Sequence, residues 1–163
     1  MIIIVSGLPG SGKSFFADRL ASKCDAEYLN SDKVRSEMKA RGRYSVDDKL
    51  RVYTEMLNRT AILVGRGENV VVDATFYHHT MREMFLRLAH EYHVPVRVIE
   101  ITADESLIKD RLSSPRQYSE ADYSVYETVR DAFEEITMPH LILESTSNNI
   151  DLMLETAIEY INL

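Results

Sequence analysis

The chain opens with a glycine-rich stretch that fits the pattern Gly-x-x-x-x-Gly-Lys-Ser: Gly7-Leu8-Pro9-Gly10-Ser11-Gly12-Lys13-Ser14. An apolar run, Ile2–Val5, comes before it, and a segment with helical spacing of apolar residues comes after it. The glycines lack a Cβ, so the backbone can curl and point its N–H groups inward, where they and the helix N-terminus can cradle a polyphosphate. Lys13 is placed to reach the β- and γ-phosphates, and the Ser14 hydroxyl to bind Mg²⁺. The stretch therefore predicts a P-loop that binds ATP with Mg²⁺.

Short apolar runs alternate with longer segments of helical period along the rest of the chain. The apolar runs, which we predict as buried strands, are Ile2–Val5, Ala26–Leu29, Asn69–Val72, Val94–Ile101 and His140–Leu143. Helical patterns lie between or after them, at 50–64, 81–92 and 150–161. Such alternation is typical of βαβ units with a parallel sheet and right-handed crossovers. We predict an α/β fold: a P-loop NTPase-type three-layer sandwich with a five-stranded parallel sheet, helices on both faces, and a helical lid at about 111–122, in a single domain of residues 1–163.

Composition limits the classes of partner. The chain of 163 residues has a net charge of −7, which disfavours binding along duplex DNA because such binding depends on cations placed against phosphates. Binding to the end of a nucleic-acid strand is compatible with this net charge. No apolar run approaches the ~20 residues of a membrane span, and the apolar start is too short for a signal peptide. One cysteine excludes an internal disulfide. We expect a cytoplasmic protein without membrane partners, and make no prediction of oligomeric state.

Other P-loop classes carry strings that this sequence lacks. A switch GTPase would need Asn-Lys-x-Asp and Asp-x-x-Gly, and a transporter ATPase a Leu-Ser-Gly-Gly run; none of them occurs. The chain is also short for a motor. A compact kinase, with an acceptor site and a lid, is the class that remains.

A carboxylate and a guanidinium follow the second predicted strand. Asp32 and Arg35 stand at i and i+3 on the first turn of a helix and so project from one face. A carboxylate can orient an acceptor hydroxyl and take its proton, and a guanidinium can hold an anionic acceptor by two parallel contacts. Residues 31–51 carry seven Lys and Arg against four Asp and Glu, which favours a phosphate-bearing acceptor. The alternative is that Asp32 caps the helix and Arg35 is solvated.

Asp73 ends the third predicted strand, in the position of a second acidic motif. It can contact Mg²⁺ through water or orient Arg35. The alternative is that it caps a helix over 77–92, a role for which Thr75 competes.

Two late arginines, Arg111 and Arg116, define the predicted lid. Pro115 ends a helix that begins near Asp104, and the string Ser119-Glu120-Ala121-Asp122 predicts a capping box that opens the next helix. Closing the lid would bring guanidinium charge onto the donor phosphates and exclude water. Arg116, which lies in the turn, is the preferred catalytic arginine; surface arginines are the alternative.

Together these motifs resemble those of the P-loop kinases of the polynucleotide-kinase-like group. The matching strings are the glycine loop, Ser31-Asp32-x-x-Arg35, Val70-Val71-Val72-Asp73-Ala74-Thr75, and the arginine pair followed by Ser119-Glu120-Ala121-Asp122-Tyr123. Adenylylsulfate kinases are similar at the Asp-x-x-Arg string. The resemblance spans nearly the whole chain. It implies ATP as co-substrate, Asp32 as general base, Arg35 as the grip on the acceptor's phosphate, and a lid arginine on the donor phosphates. The implied acceptor is a 5′-hydroxyl nucleic-acid end, or a small phosphorylated metabolite or nucleotide.

Two other functions stay open on the sequence: a zeta-toxin-like kinase of nucleotide sugars, and a non-catalytic ATP-binding module that signals by lid closure. The adjacent His78 and His79 have no partners at a metal-site spacing in the sequence, and neighbouring side chains at a helix start are expected to diverge. We predict that they are surface histidines rather than metal ligands.

Overall fold

A computed structural model describes residues 1–114 and 120–162. Within these ranges five strands form one parallel sheet in the order β2-β3-β1-β4-β5. The strands are β1 (Ile2–Ser6), β2 (Ala26–Asn30), β3 (Asn69–Asp73), β4 (Val96–Thr102) and β5 (Leu141–Glu144). Each lies within two residues of its predicted position, and the predicted fold class is confirmed.

Seven helices connect or follow these strands in the described ranges. They are α1 (Lys13–Lys23), α2 (Ser31–Glu37), α3 (Val46–Gly65), α4 (His79–Glu91), α5 (Glu105–Leu112), α6 (Tyr123–Asp131) and α7 (Ile150–Ile161). The centre of the predicted lid, residues 115–119, lies outside the described residues.

Alternate residues of β1 point to opposite faces of the sheet, and each face is covered by its own helices. Ile2 and Ile4 belong to a core cluster with α3 and α4, whereas Ile3 and Val5 belong to a second cluster with α1 and α7. All four side chains are at most 1% exposed. Because burying such a side chain contributes roughly 1.5–3 kcal/mol, this run stabilises both halves of the three-layer sandwich.

The helix caps correct three of the sequence interpretations. Asn30, rather than Asp32, caps α2, accepting a hydrogen bond from the Lys33 N–H at 2.9 Å. His78, rather than Asp73 or Thr75, caps α4.

The third correction concerns α6. The helix is capped by Asp122, whose carboxylate accepts from the Val125 N–H at 3.0 Å, so it begins at Tyr123 and not at the predicted capping box. Among the described residues, no helix combines the length and apolar character needed to cross a bilayer.

Candidate active site

The glycine loop joins β1 to α1 at the carboxyl edge of the sheet, where ligands of parallel sheets bind. Gly12 precedes α1 with a φ of 93°, and a Cβ there would stand 2.8 Å from the Ser145 hydroxyl, so a larger residue would be strained and would displace the Ser145 side chain. No side chain of the described residues caps α1. The first N–H groups of α1 are therefore left to bind an anion.

Arg111, at the end of α5, ties the glycine loop to the segment after β5. One terminal nitrogen donates to the carbonyls of Gly10 and Ser11 at 3.2 and 3.0 Å. The other donates to the Ser145 hydroxyl at 3.0 Å and to the Thr146 carbonyl at 3.2 Å. Burial lowers the pKa of this guanidinium. Arg111 thus fixes the shape of the phosphate loop. Arg116, the other predicted lid arginine, lies outside the described residues.

A cleft of about 520 Å³ runs from the phosphate loop to the start of α7. Its lining includes the polar side chains of Lys13 and Ser14 and the apolar side chains of Phe16, Ile150 and Met153. Such a mixture suits a nucleotide, since ligand sites combine apolar walls with a few polar groups.

Asp73 is fully buried at the end of β3, opposite Asn30 at the end of β2. Its Oδ2 accepts from the Asn30 amide at 2.6 Å and from the Tyr28 hydroxyl at 2.7 Å. The Asn30 amide also lies 3.4 Å from the Ser14 hydroxyl. Burial, and next the Asp73 charge, raise the pKa of Tyr28, so this phenol stays protonated and donates.

The oxygen atoms near Ser14 suit Mg²⁺ as ligands, because Mg²⁺ prefers hard oxygen ligands. The second carboxylate oxygen of Asp73, Oδ1, is buried without a hydrogen-bond partner among the described residues. A buried acceptor of this kind costs free energy unless something satisfies it. The hydroxyl of Ser14 and the orphaned oxygen of Asp73 therefore fit an ion with its bound water.

Arg35 lies beneath the loop between α2 and α3 and is only 7% exposed. Its guanidinium stands 4.6 Å from the centre of the Tyr44 ring, and one terminal nitrogen donates to the Arg43 carbonyl at 2.7 Å. Its Nε is buried without a hydrogen-bond partner in the described residues. The sequence places Arg35 on one helix face with Asp32, but the structure adds this aromatic cover, so the cation is oriented rather than solvated.

Glu120, in the predicted lid segment, contacts the loop between α2 and α3. Its carboxylate accepts from the Tyr44 hydroxyl at 2.6 Å and from the Gly42 N–H at 2.8 Å, and lies 3.8 Å from Arg41. Burial, followed by this hydrogen bond, raises the pKa of Tyr44 to about 12. The pKa of Glu120 is lowered, first by Tyr44 and then by the Gly42 N–H.

Three residues of this region were missed by sequence reasoning: Tyr28, Asn30 and Tyr44. A usable signal existed for Asn30, because it ends a strand as Asp73 does and the carboxyl ends of neighbouring parallel strands meet at one edge. The same argument indicates Tyr28, because residues two apart on a strand, here Tyr28 and Asn30 on β2, point to the same face of the sheet. Tyr44 lies in a loop, and nothing in its sequence context indicates a contact with Arg35.

The fold and the glycine loop define a P-loop nucleotide-binding protein. A family model described as an AAA domain matches residues 2–136, and the chain belongs to this family.

The curated relatives described next share less than 30% sequence identity with this chain. An uncharacterized protein of Mycobacterium tuberculosis is 28% identical over 123 residues, which cover 68% of this chain and 25% of the relative. The chain thus spans a quarter of the length of that relative. A "probable adenylyl-sulfate kinase" of Aeropyrum pernix is 23% identical over 158 residues, covering 93% of this chain and 86% of the relative.

Solved structures share the fold at lower identity. Kti12 of Chaetomium thermophilum, in complex with ADP-AlF3, has a TM-score of 0.76 at 18% identity, with 99% of each chain covered. The APS kinase CysC of Mycobacterium tuberculosis, in complex with AMPPNP and APS, has a TM-score of 0.76 at 17% identity, covering 99% of this chain and 97% of that one. A gluconokinase of Sinorhizobium meliloti has a TM-score of 0.73 at 17% identity, covering 98% and 90%.

Proposed function

We propose that this protein is an ATP-dependent kinase that transfers the γ-phosphate of ATP to a hydroxyl of a small acceptor carrying a phosphate or a similar anion. The observation that carries the proposal is the position of Asn30. Its amide contacts Asp73 and Ser14 on the donor side, and its carbonyl oxygen caps α2, the helix that holds Asp32 and Arg35. Donor and acceptor groups are thus held by one rigid junction, as phosphoryl transfer requires.

On the donor side, the backbone N–H groups of residues 7–14 hold the polyphosphate, and Lys13 neutralises the charge on its β- and γ-phosphates. A bound Mg²⁺ would supply charge neutralisation for the polyphosphate. Ser14 would ligate it directly, and Asp73 would hold one of its waters. Arg111 keeps the loop in the shape that the phosphates need, through four hydrogen bonds.

On the acceptor side, Asp32 orients the attacking hydroxyl and receives its proton as the new O–P bond forms. The bond between the γ-phosphorus and the bridging oxygen breaks, and ADP leaves with the electron pair. Arg35, held by the Tyr44 ring and the Arg43 carbonyl, would bind an anionic group of the acceptor with the guanidinium. Arg116, in the predicted lid, is proposed to contact the transferring phosphoryl.

Several known proteins support a small-molecule acceptor by their names: the probable adenylyl-sulfate kinase, the APS kinase and the gluconokinase. The motifs themselves resemble the polynucleotide-kinase-like group, so a 5′-hydroxyl strand end stays among the acceptors to test. The test is transfer of radiolabelled γ-phosphate from ATP to a panel of 5′-hydroxyl oligonucleotides, nucleosides, nucleotides, adenylylsulfate, nucleotide sugars and neutral sugars.

We expect labelling of an anionic acceptor by the wild-type chain and none by Asp32→Asn. Labelling of a nucleotide sugar alone would favour a zeta-toxin-like kinase. ATP binding without transfer to any acceptor would contradict the proposal and favour a binding module. A matched variant, Asp47→Asn, changes an exposed aspartate in the first turn of α3 and should transfer phosphate normally.

A further inference from the structure

Two adjacent histidines and a distant glutamate meet on the surface between two connections of the sheet. His78 and His79 lie after β3, at the start of α4, and Glu134 lies between α6 and β5. One nitrogen of each ring and a carboxylate oxygen of Glu134 all lie within 4.8 Å of one another. The sequence prediction that the two rings diverge is wrong: they stack with their centres 4.8 Å apart.

The reason is the backbone of His78. It is the N-cap of α4, with φ −108° and ψ 137°, so its side chain does not follow the helical period. His79 is the first helical residue. The change of backbone conformation between the two turns both rings toward Glu134. His78 Nε2 lies 3.2 Å from Glu134 Oε1, and His79 Nδ1 lies 2.6 Å from Glu134 Oε2.

The two segments that carry these groups are fixed to each other by other contacts. The Glu134 N–H donates to the Tyr77 carbonyl at 2.8 Å. Arg82, which is 5% exposed, donates to the carbonyls of Phe76 and Glu135 at 2.7 and 3.0 Å. The three candidate ligands therefore converge on a framework that does not depend on their mutual hydrogen bonds.

We propose that His78, His79 and Glu134 form a binding site for a divalent transition-metal ion, with Zn²⁺ as the ion that the donor set fits. Two imidazoles and one carboxylate are a recognised Zn²⁺ ligand set that leaves a fourth position for water. Bonds of about 2.0–2.2 Å place neighbouring ligand atoms about 3.3 Å apart. The His79–Glu134 contact, now 2.6 Å, has to open by less than about 1 Å, and a pair of ligand atoms near the 4.8 Å limit has to close by about 1.5 Å. Partly exposed side chains on a fixed backbone can make these changes.

Thr80 supplies the outer contact that a metal-bound histidine needs. The Nδ1 of His78 faces the Thr80 hydroxyl, which can act as donor or acceptor. When Nε2 binds a metal, Nδ1 carries the proton and donates a hydrogen bond to that hydroxyl, so the Thr80 N–H gives up the acceptor that Nδ1 offers it in the metal-free chain. The nearby Arg82 charge opposes a cation, so we expect weaker binding than at a four-ligand structural zinc site. Occupancy would link the β3–α4 connection to the segment before β5.

The test is a Zn²⁺ titration of the full chain, free of any histidine tag, in competition with a chromogenic chelator, with metal content measured after dialysis. Wild type is expected to hold one Zn²⁺ per chain. His79→Gln and Glu134→Gln are expected to weaken binding at least about tenfold, since even loss of an outer-shell partner costs 10–100-fold. Thr80→Val, which keeps all three ligands, should show a loss at the lower end of that range.

The matched control is His90→Gln/His93→Gln, which removes the other pair of neighbouring histidines, both exposed on the surface. It should bind Zn²⁺ as wild type does, and Zn²⁺ should raise the Tm of the control and of wild type but not of His79→Gln. Equal binding by wild type and His79→Gln, or loss of binding in the control, would overturn the proposal. None of these measurements needs ATP or an acceptor, so they stand apart from the test of kinase activity.

Discussion

The Asn30 amide nitrogen lies 2.6 Å from the Asp73 carboxylate, across the paired carboxyl ends of β2 and β3. The carbonyl oxygen of the same side chain caps α2. One asparagine therefore stabilises a buried carboxylate and also starts the helix that carries Asp32 and Arg35. The cap on α2 and the hydrogen bond to Asp73 are two separate contributions of this side chain, and mutation can separate them.

Asn30→Ala should remove both contributions. Loss of the cap costs about 1 kcal/mol, and loss of a hydrogen bond to a buried carboxylate costs about 1.5–3 kcal/mol. Asn30→Ser keeps a capping hydroxyl but loses the amide donor, so it should be about 1 kcal/mol more stable than Asn30→Ala. Urea denaturation measures the difference. Equal unfolding free energies for the two variants would show that the cap contributes nothing.

Lys13→Ala should weaken ATP binding and lower kcat/KM by about 100-fold or more, because the variant loses a preorganised cation at the transferring phosphoryl. Lys13 is the first residue of α1 and lies outside the core, so the Tm should change little. Nucleotide binding and γ-phosphate transfer are the measurements. Lys23→Ala, at the other end of the same helix, is the matched control. Wild-type turnover from Lys13→Ala would remove the phosphate-loop assignment.

The sheet was predictable because its signals are local. Ile2–Val5 and the valines at 70–72 are continuous β-branched runs, and the loop pattern at 7–14 indicates a turn from the first strand into a helix. The ends of helices were less predictable. The Ser119–Asp122 string fits a capping box, but Asp122 competes for the capping role and caps α6 instead.

The site was predictable only in part because its remaining contacts are tertiary. The strand register that brings Asn30 to Asp73 is a consequence of the parallel sheet, but the hydrogen bonds of Tyr28 depend on side-chain packing. The orientation of the His78 ring does not follow from the helical period, because this residue has an extended backbone. Tyr44 covers Arg35 from a loop whose path has no sequence signature.

Asp32→Asn separates a catalytic base from a structural residue. Asn30 is the cap of α2, so the variant keeps the cap and loses the roughly 0.3–1 kcal/mol that a carboxylate gains from the helix dipole. Without a proton acceptor, kcat should fall by roughly 10²–10⁴. Steady-state rates and thermal unfolding are measured together. Asp47→Asn, in the first turn of α3, should show a similar small loss of stability and a normal rate; a normal rate for Asp32→Asn would exclude the base role.

The contact of Glu120 with Tyr44 should depend on pH. The folded-state pKa of Glu120 lies below its unfolded value, so its contribution is fully present above the usual value of 4.5 and is lost as pH falls through the folded-state pKa. The pKa of Tyr44 is raised, so its contribution is complete below 10.0 and is lost as pH rises through about 12. The stability difference between wild type and Tyr44→Phe should therefore shrink in acid. A difference that stays constant from neutral pH into acid would contradict this account.

Arg35→Ala should raise KM for an anionic acceptor at least about tenfold, the effect of losing a hydrogen bond to a charged group, while KM for ATP changes little. Because Arg35 also stacks on Tyr44 and donates to the Arg43 carbonyl, the variant will lose stability as well, and the KM for ATP serves as the internal reference. Arg35→Lys should rescue only in part, since an ammonium lacks the planar fork. Arg51→Ala, on the exposed face of α3, is the control for general loss of charge.

A nucleoside 3′-phosphate should be a better substrate than the nucleoside for wild type, and Arg35→Ala should reduce that preference. If both are phosphorylated equally well and Arg35→Ala affects neither, the acceptor is neutral, and a sugar becomes the better-supported substrate class.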